Sequence, residues 1–415
     1  MNATINISMS ETEQQETLVL LTDTLTLFSK REIEPHIHAW DEAGEFPRSL
    51  YLRAAELGLL GMGYPEHLGG SPASWRMRNT LSQQLSRMGG SGGLLASLFS
   101  HNIGLPPVLR YGSETLQQMV IPPVLRGEKI AALAITEPSG GSDVAALRCT
   151  AVRDGSDYVI NGEKVFITSG MRADYITVAV RTGEAGSDEP PRFAAPQGGL
   201  DALGRSGAVN GSGGISMILV PADVAGLSRT RLEKMGWWCS DTAHLRFDNV
   251  RVPAANLLGE EGAGFKIIMT NFNGERLSMS AMALGFAQAC FDEALDWARQ
   301  RKTFGNILME HQVIRHKLVD MQMRISSTQA WLDAVTVRAD AGDAGADWVA
   351  QVCMLKNHAT QTMQFCADQA VQILGAMGFM RGTKSERIYR EVKVMMIGGG
   401  SEEIMKELAA RQLGL

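Results

Sequence analysis

The stretch ALAITEPSGGSD, Ala132 to Asp143, decides the fold, because the character of the chain changes there. Upstream, from Glu16 to about Ile130, apolar residues recur at the spacing of a helical turn, as in LVLLTDTLTLF and SLYLRAAELGLLGM. Gly61 to Gly70 punctuates these helices. GGSGG at Gly89 to Gly93 has no GKS or GKT after it and no strand before it, so it reads as a helix-helix connection rather than a phosphate cradle. The opening stretch itself joins a strand end to Thr136, two glycines and Ser142. Its backbone N–H groups and hydroxyls suit an anion or the edge of a bound cofactor. A plain polar β-turn has the same composition.

Downstream, YVING, KVFIT, YITVAV, ISMILV and HLRFDNVRV are short runs rich in β-branched residues, which predicts a β domain over residues 131–255. In Val159-Ile160-Asn161-Gly162-Glu163-Lys164 the Asn-Gly pair supplies two positive φ angles and predicts a tight hairpin. Gly183 to Gly214 is rich in Gly, Pro, Ala and Ser and aperiodic, and reads as a long surface insertion. The helical period returns by about Gly262, so residues 256–415 form a second helical unit to match residues 1–130. Ile314, Leu318, Met321 and Ile325 share one face, as do Val352, Leu355, Ala359, Met363 and Cys366, and the latter helix is expected to stop at Gly375 in a left-handed turn. Helices, then strands, then helices point to a bundle interrupted by a small barrel or sheet. No GxGxxG follows a strand, which excludes a Rossmann site.

The 415 residues suggest two or three packed units, and 45% hydrophobic with 20% charged residues is a globular composition. A net charge of -6 gives no basic footprint for nucleic acid. The five cysteines form no CxxC pair and read as reduced packing residues of a cytoplasmic protein. No HExxH or Cys/His grouping supports a metal. The N-terminus lacks the order of a secretion or transit signal, and no apolar run reaches membrane-spanning length.

TEPSGGSD, NGEKVFITSG, RKTFG with a downstream Gln312, QILGAMGF, YREVKVMMI and the terminal GGGSEEI, taken together and in this order, resemble the acyl-CoA dehydrogenase family, and the similarity runs from REIEPHIHAWDEAGEFP to the C-terminus. The resemblance implies an α+β protein with an N-terminal helical domain, a central β-barrel domain and a C-terminal four-helix bundle. It implies FAD, lined by Leu133, Ile135, Thr136, Gly141 and Ser142, flanked by Phe166 and Thr168, and approached by Ser401 and Glu403. Ser142 would also neighbour the CoA chain. Arg301, Thr303, Phe304, Gln312, Gln372 and Gly375 would hold the ADP half of an FAD bound by the adjacent subunit, which implies a homo-oligomer, usually a tetramer. Arg301 suits pyrophosphate because its fork matches two oxygens; a solvated helix-end cation is the bland reading. Phe272, Asn273 and Arg276 match positions that contact CoA, and the implied electron acceptor is an electron-transfer flavoprotein.

The family's reaction needs a base for the substrate α-proton, and many members carry it as a glutamate where this chain has Gly399. The side chain is lost, but the Gly399 amide can still donate to the thioester oxygen, where a preorganised donor is worth ~3 kcal/mol. In the isovaleryl-CoA and long-chain branches, which this sequence resembles here, a glutamate in an ER dipeptide is the base, and Glu275 of NFNGERLSMSA matches it. Against this stands a structural reading, in which Asn273-Gly274 breaks a helix and Glu275 sits in the next first turn, favoured by the macrodipole. Two alternatives to a dehydrogenase carry the same fold: an oxygen-using oxidase or monooxygenase, and a non-catalytic FAD-binding relative.

Overall fold

The computed structural model describes residues 11–183 and 214–415, so the expected insertion lies outside the described residues except at its two ends. The N-terminal helices are α1 (Glu11–Phe28), α2 (Ile37–Ala43), α3 (Ser49–Glu56), α4 (Trp75–Gly89), α5 (Gly92–Leu98), α6 (His101–Gly104), α7 (Pro106–Tyr111) and α8 (Glu114–Leu125). Serine fixes where several of them begin. The Ser74, Ser91 and Ser113 hydroxyls accept from the N–H of Met77, Leu94 and Leu116, each satisfying a donor that the first turn leaves free. Gly90 and Ser91 thus form the short connection from α4 to α5 that GGSGG predicts.

The strands are β1 (Ala131–Ala134), β2 (Thr150–Asp154), β3 (Asp157–Thr168), β4 (Tyr175–Arg181), β5 (Ile215–Pro221), β6 (Leu227–Arg231), β7 (Thr242–Pro253) and β8 (Leu257–Leu258). They form one sheet in the order β6-β7-β3-β2-β4-β5-β8, with β1 parallel to β4. β4 and β5 read as apolar runs because both faces are covered. Ile176, Val178 and Val180 enter one core, while Ala179, Met217 and Leu219 enter a second with α7, α8 and Ile267. The Asn161-Gly162 hairpin is not formed. β3 runs straight through the pair, and the register against β7 slips between Ile160 and Gly162. Gly162 is there for a β-bulge, with φ at 140° and Cys149 Cα 2.7 Å from where a Cβ would stand. The chain reverses instead at Asp154 to Asp157, where the turn contains Gly155.

The C-terminal helices are α9 (Gly264–Gln300), α10 (Gln312–Asp340), α11 (Ala346–Leu374), α12 (Ala376–Phe379), α13 (Lys384–Ile397) and α14 (Glu402–Leu413), with a small ribbon of β9 (Lys302–Thr303) and β10 (Asn306–Ile307) between the first two. α11 is central, packing on α9, α10, α13 and α14, and its expected apolar face is fully buried. The Asn273-Gly274 break does not occur. α9 continues through it, and the missing side chain lets Trp75 of α4 come within 2.7 Å of where a Cβ would stand. Packing against a neighbouring helix outweighs a helix-propensity cost of ~1 kcal/mol for one glycine. Gly375 does end α11, but at φ 62°, ψ -134° it lies outside the left-handed helical region that was expected. All five cysteines are buried and unpaired.

Candidate active site

Continuity of α9 puts Glu275 in mid-helix, facing the tail loop between α13 and α14. Beside it, the buried Arg276 donates from Nε to the Gly399 carbonyl at 3.0 Å and from Nη1 to Asn273 Oδ1 at 3.2 Å, with its guanidinium over the Phe272 ring. From the other side Lys356 of α11 donates to the carbonyls of Met396, at 3.1 Å, and Gly400, at 2.8 Å. The loop is therefore held by two buried cations. Glu275 keeps part of its surface open, yet its Oε2 is buried with no hydrogen-bond partner. That desolvation, opposed by the charges of Arg276 and Lys356, pushes the carboxyl up to about 7.

Gly399 has φ 67°, and Met279 Sδ lies 2.8 Å from where a Cβ would stand. A glutamate there would need a left-handed backbone and a displaced Met279, so in this fold the loop offers backbone only. The neighbouring acids are otherwise engaged. Glu402 accepts from Gln361 at 2.8 Å, and the exposed Glu403 is held below the usual carboxylate range by its own backbone N–H and Ser401. Ser401 caps α14 through Ile404 N–H.

A second group of predicted residues converges where β1 meets β3. Val165 N–H donates to the Thr136 carbonyl at 2.8 Å, which brings Leu133, Ile135 and Thr136 alongside Phe166 and Thr168. Gly141 folds back so that a Cβ there would stand 3.2 Å from Thr136 Cγ2, and Ser142 is exposed. Phe166 has φ 62° and is 68% exposed, an apolar ring held out by an unfavourable backbone. Behind this surface is an ion pair that sequence reading missed. Glu137 accepts from Arg148 N–H, Cys149 N–H and the fully buried Lys164, whose Nζ also donates to the Ile135 carbonyl.

The third group lies at the far end of the bundle. Up-and-down connectivity brings the α9–α10 link and the end of α11 together, as the Lys317–Gln369 hydrogen bond confirms. Arg301, Gln312, Gln372 and Gly375 are all exposed there. Thr303 bonds His311 at 3.1 Å, and Phe304 stands 97% exposed at φ 51°. A cavity of about 680 Å³ opens elsewhere, between α3, α8 and the edge of the sheet, lined by Arg48, Lys129, Arg172 and Arg229 with Asp174 and Asp223. It contains none of the predicted site residues.

Lys356, like Glu137 and Lys164, went unrecognised, though a signal existed: a lysine among Val352, Leu355, Ala359 and Met363, on a helix covered on nearly every side. Among the described residues no group of acids, histidines and cysteines could hold a metal, and no helix is long and apolar enough to cross a membrane.

Comparison with known proteins shows the family. Models of the acyl-CoA dehydrogenase N-terminal, middle and C-terminal domains match residues 12–128, 132–201 and 262–414. The chain is 33% identical to an acyl-CoA dehydrogenase of Bacillus subtilis, covering 98% of this chain and 99% of that one. It is 34% identical to the mitochondrial long-chain specific acyl-CoA dehydrogenase of Rattus norvegicus, over 94% of this chain and 85% of that one. The crystal structure of a probable acyl-CoA dehydrogenase from Mycobacterium abscessus superposes with a TM-score of 0.86 at 42% identity, covering 95% and 98% of the two chains. The protein therefore belongs to the acyl-CoA dehydrogenase family and is an oxidoreductase of acyl-CoA thioesters.

Proposed function

We propose that this chain removes hydrogen across the α and β carbons of an acyl-CoA to give the trans-2-enoyl-CoA, with Glu275 as the base and FAD as the resident cofactor. What carries the reading is the Glu275 carboxylate: buried at Oε2, unpartnered, and close to a loop in which a side chain at position 399 would need a left-handed backbone and a displaced Met279. A base with an affinity near neutrality suits this work, since it must accept the α-proton and later release it. Gly399 N–H is the donor for the thioester oxygen as charge develops there. Arg276 holds the loop through the Gly399 carbonyl and is itself held by Asn273 Oδ1, and these two with Phe272 are the residues that would contact CoA.

The fit to a flavin rests on the exposed Phe166 and on the open backbone of Gly140 to Ser142, where a Cβ at Gly140 would meet nothing. When bound, FAD supplies at N5 the acceptor for the hydride leaving the β-carbon. Leu133, Ile135, Thr136, Gly141, Ser142, Phe166 and Thr168 would hold its flavin end, with Ser401 and Glu403 nearby. Arg301, Thr303, Phe304, Gln312, Gln372 and Gly375 would hold the ADP end for a neighbouring copy, which makes the protein an oligomer, the tetramer being the usual form in the family. The base position favours a branched or longer acyl chain, and an electron-transfer flavoprotein is the electron acceptor.

The test is anaerobic mixing of holoenzyme with straight and branched acyl-CoA thioesters. Glu275→Gln should retain bound flavin colour while bleaching at least ~100-fold more slowly, the lower end for loss of a general base. A wild-type rate in that variant would reject the base.

A further inference from the structure

Against the tail loop the structure places one side chain that the reaction as described does not use. Lys356 lies in the middle of α11 with no exposed surface, and a buried ammonium needs acceptors for its protons and a reason to be there. Its hydrogen-bond partners are backbone carbonyls, of Met396 at 3.1 Å and Gly400 at 2.8 Å, one on each side of Gly398 and Gly399. Arg276 takes the Gly399 carbonyl at 3.0 Å. Three carbonyls within five residues thus point at two cations. A peptide plane whose carbonyl is pinned has the N–H of the next residue pinned as well, so these bonds fix the planes that carry the Ile397, Gly400 and Ser401 N–H groups. The Gly399 N–H lies in the plane of the Gly398 carbonyl, between a plane held by the Val394 carbonyl at Gly398 N–H and the planes held by Arg276 and Lys356 at the Gly399 and Gly400 carbonyls, so its orientation is set through the planes that flank it.

We infer that Lys356 is a positioning residue for this reaction: its ammonium fixes the glycine loop so that the Gly399 N–H meets the thioester oxygen, and its charge favours the ionised form of Glu275. This rests on Glu275 being the base. The charges acting on Glu275 are Arg276 of its own helix and Lys356 of α11. Lys356 in turn feels Arg276, which opposes its charge, and Glu402 of α14, Glu275 and Cys353 of its own helix, which favour it, and Cys353 also acts on Arg276. Burial pushes the Lys356 ammonium down to about 8, so it stays charged through neutrality and begins to lose that charge above it.

Three variants separate the two roles. Lys356→Gln keeps N–H donors and removes the charge, Lys356→Arg keeps the charge, and Lys356→Met removes both. Each holoenzyme is measured in two ways: the pH profile of flavin bleaching by acyl-CoA, and a substrate-free infrared titration. In the latter the Glu275 carboxyl band is identified by its absence in Glu275→Gln. The expected result is that Gln and Met move both the acid limb and the infrared midpoint upward by about one pH unit, while Arg leaves them in place. Met should also lower the plateau rate by about 10-fold or more, a part of the 10²–10³ that loss of an oxyanion donor costs, and Gln less. An unmoved limb and midpoint in both Gln and Met, or a plateau rate in Met equal to that of wild type, overturns the inference and leaves Lys356 a packing residue. If Met fails to fold, the Gln and Arg pair decides. If instead Glu275→Gln bleaches at the wild-type rate, the base assignment fails, and the infrared midpoints still report whether Lys356 acts on Glu275.

Discussion

Glu275 couples stability to pH in a direction opposite to that of most carboxylates. Its folded carboxyl titrates at about 7 against 4.5 when exposed, so the native chain holds this proton longer than the unfolded one. The associated stability is complete below pH 4.5 and is lost as pH rises through about 7. Glu275→Gln removes the titration. It should therefore gain on wild type by up to about 3 kcal/mol at pH 8 and far less at pH 5, read as the difference in Tm at each pH. Glu391, also buried and pushed up to about 7, remains in both proteins and cancels. An equal difference at both pH values would show that Glu275 is not desolvated. Gly399→Ala tests the other half of the site. A left-handed alanine costs ~1–2 kcal/mol before its clash with Met279, and Met279→Ala in the same chain should restore only the clash part in urea midpoints. The family resemblance singled out Glu275 and Gly399. The crowding at 399 that adds to its left-handed backbone comes from Met279, one hundred and twenty residues away, and no local pattern carries it.

At the scale of elements, helices and apolar strands were legible because period and burial agree, as in β5 and α11. The failures share one cause. Asn161-Gly162 and Asn273-Gly274 both look like breaks, yet each glycine serves a neighbour: Cys149 across the sheet in the first case, Trp75 of α4 in the second. A packing demand of this kind is set by a distant segment and overrides the local signal. The same holds for Glu137 and Lys164, a polar pair in strand-like sequence that would be costly to bury unless joined. Glu137 uses both oxygens as acceptors, for Arg148 N–H on one and for Cys149 N–H and Lys164 on the other. Glutamine offers a single acceptor oxygen, so Glu137→Gln orphans a backbone donor and leaves Lys164 unpaired. A loss of about 3–5 kcal/mol is expected in urea unfolding. A loss under ~1 kcal/mol would mean that water reaches the pair. Because this pair backs Thr136 and Phe166, flavin retention should fall with it.

For the molecule as a whole, Phe304 and Phe379 stand 97% and 86% exposed at the end of the bundle where Arg301 and Gln372 also lie. An apolar surface of that kind asks to be covered, which fits the proposed tetramer. Phe304→Asp should shift the sedimentation coefficient to a smaller species and release flavin into the filtrate together; a full-sized, fully yellow protein would sever the link. The order of helices, strands and helices could be read from the sequence alone, but in the proposed tetramer the cover for Phe304 would belong to another copy, leaving only the exposed ring as its trace. The buried cysteines give a different handle on the molecule. Cys149 and Cys239 flank β2 and β7, while Cys290, Cys353 and Cys366 line α9 and α11, and burial raises every one of these thiols above its ordinary range. Alkylating reagents reach them only when their region opens. The chain thus carries its own set of clocks, and mass mapping of which cysteine is modified first would tell whether sheet or bundle breathes sooner, without any engineered probe.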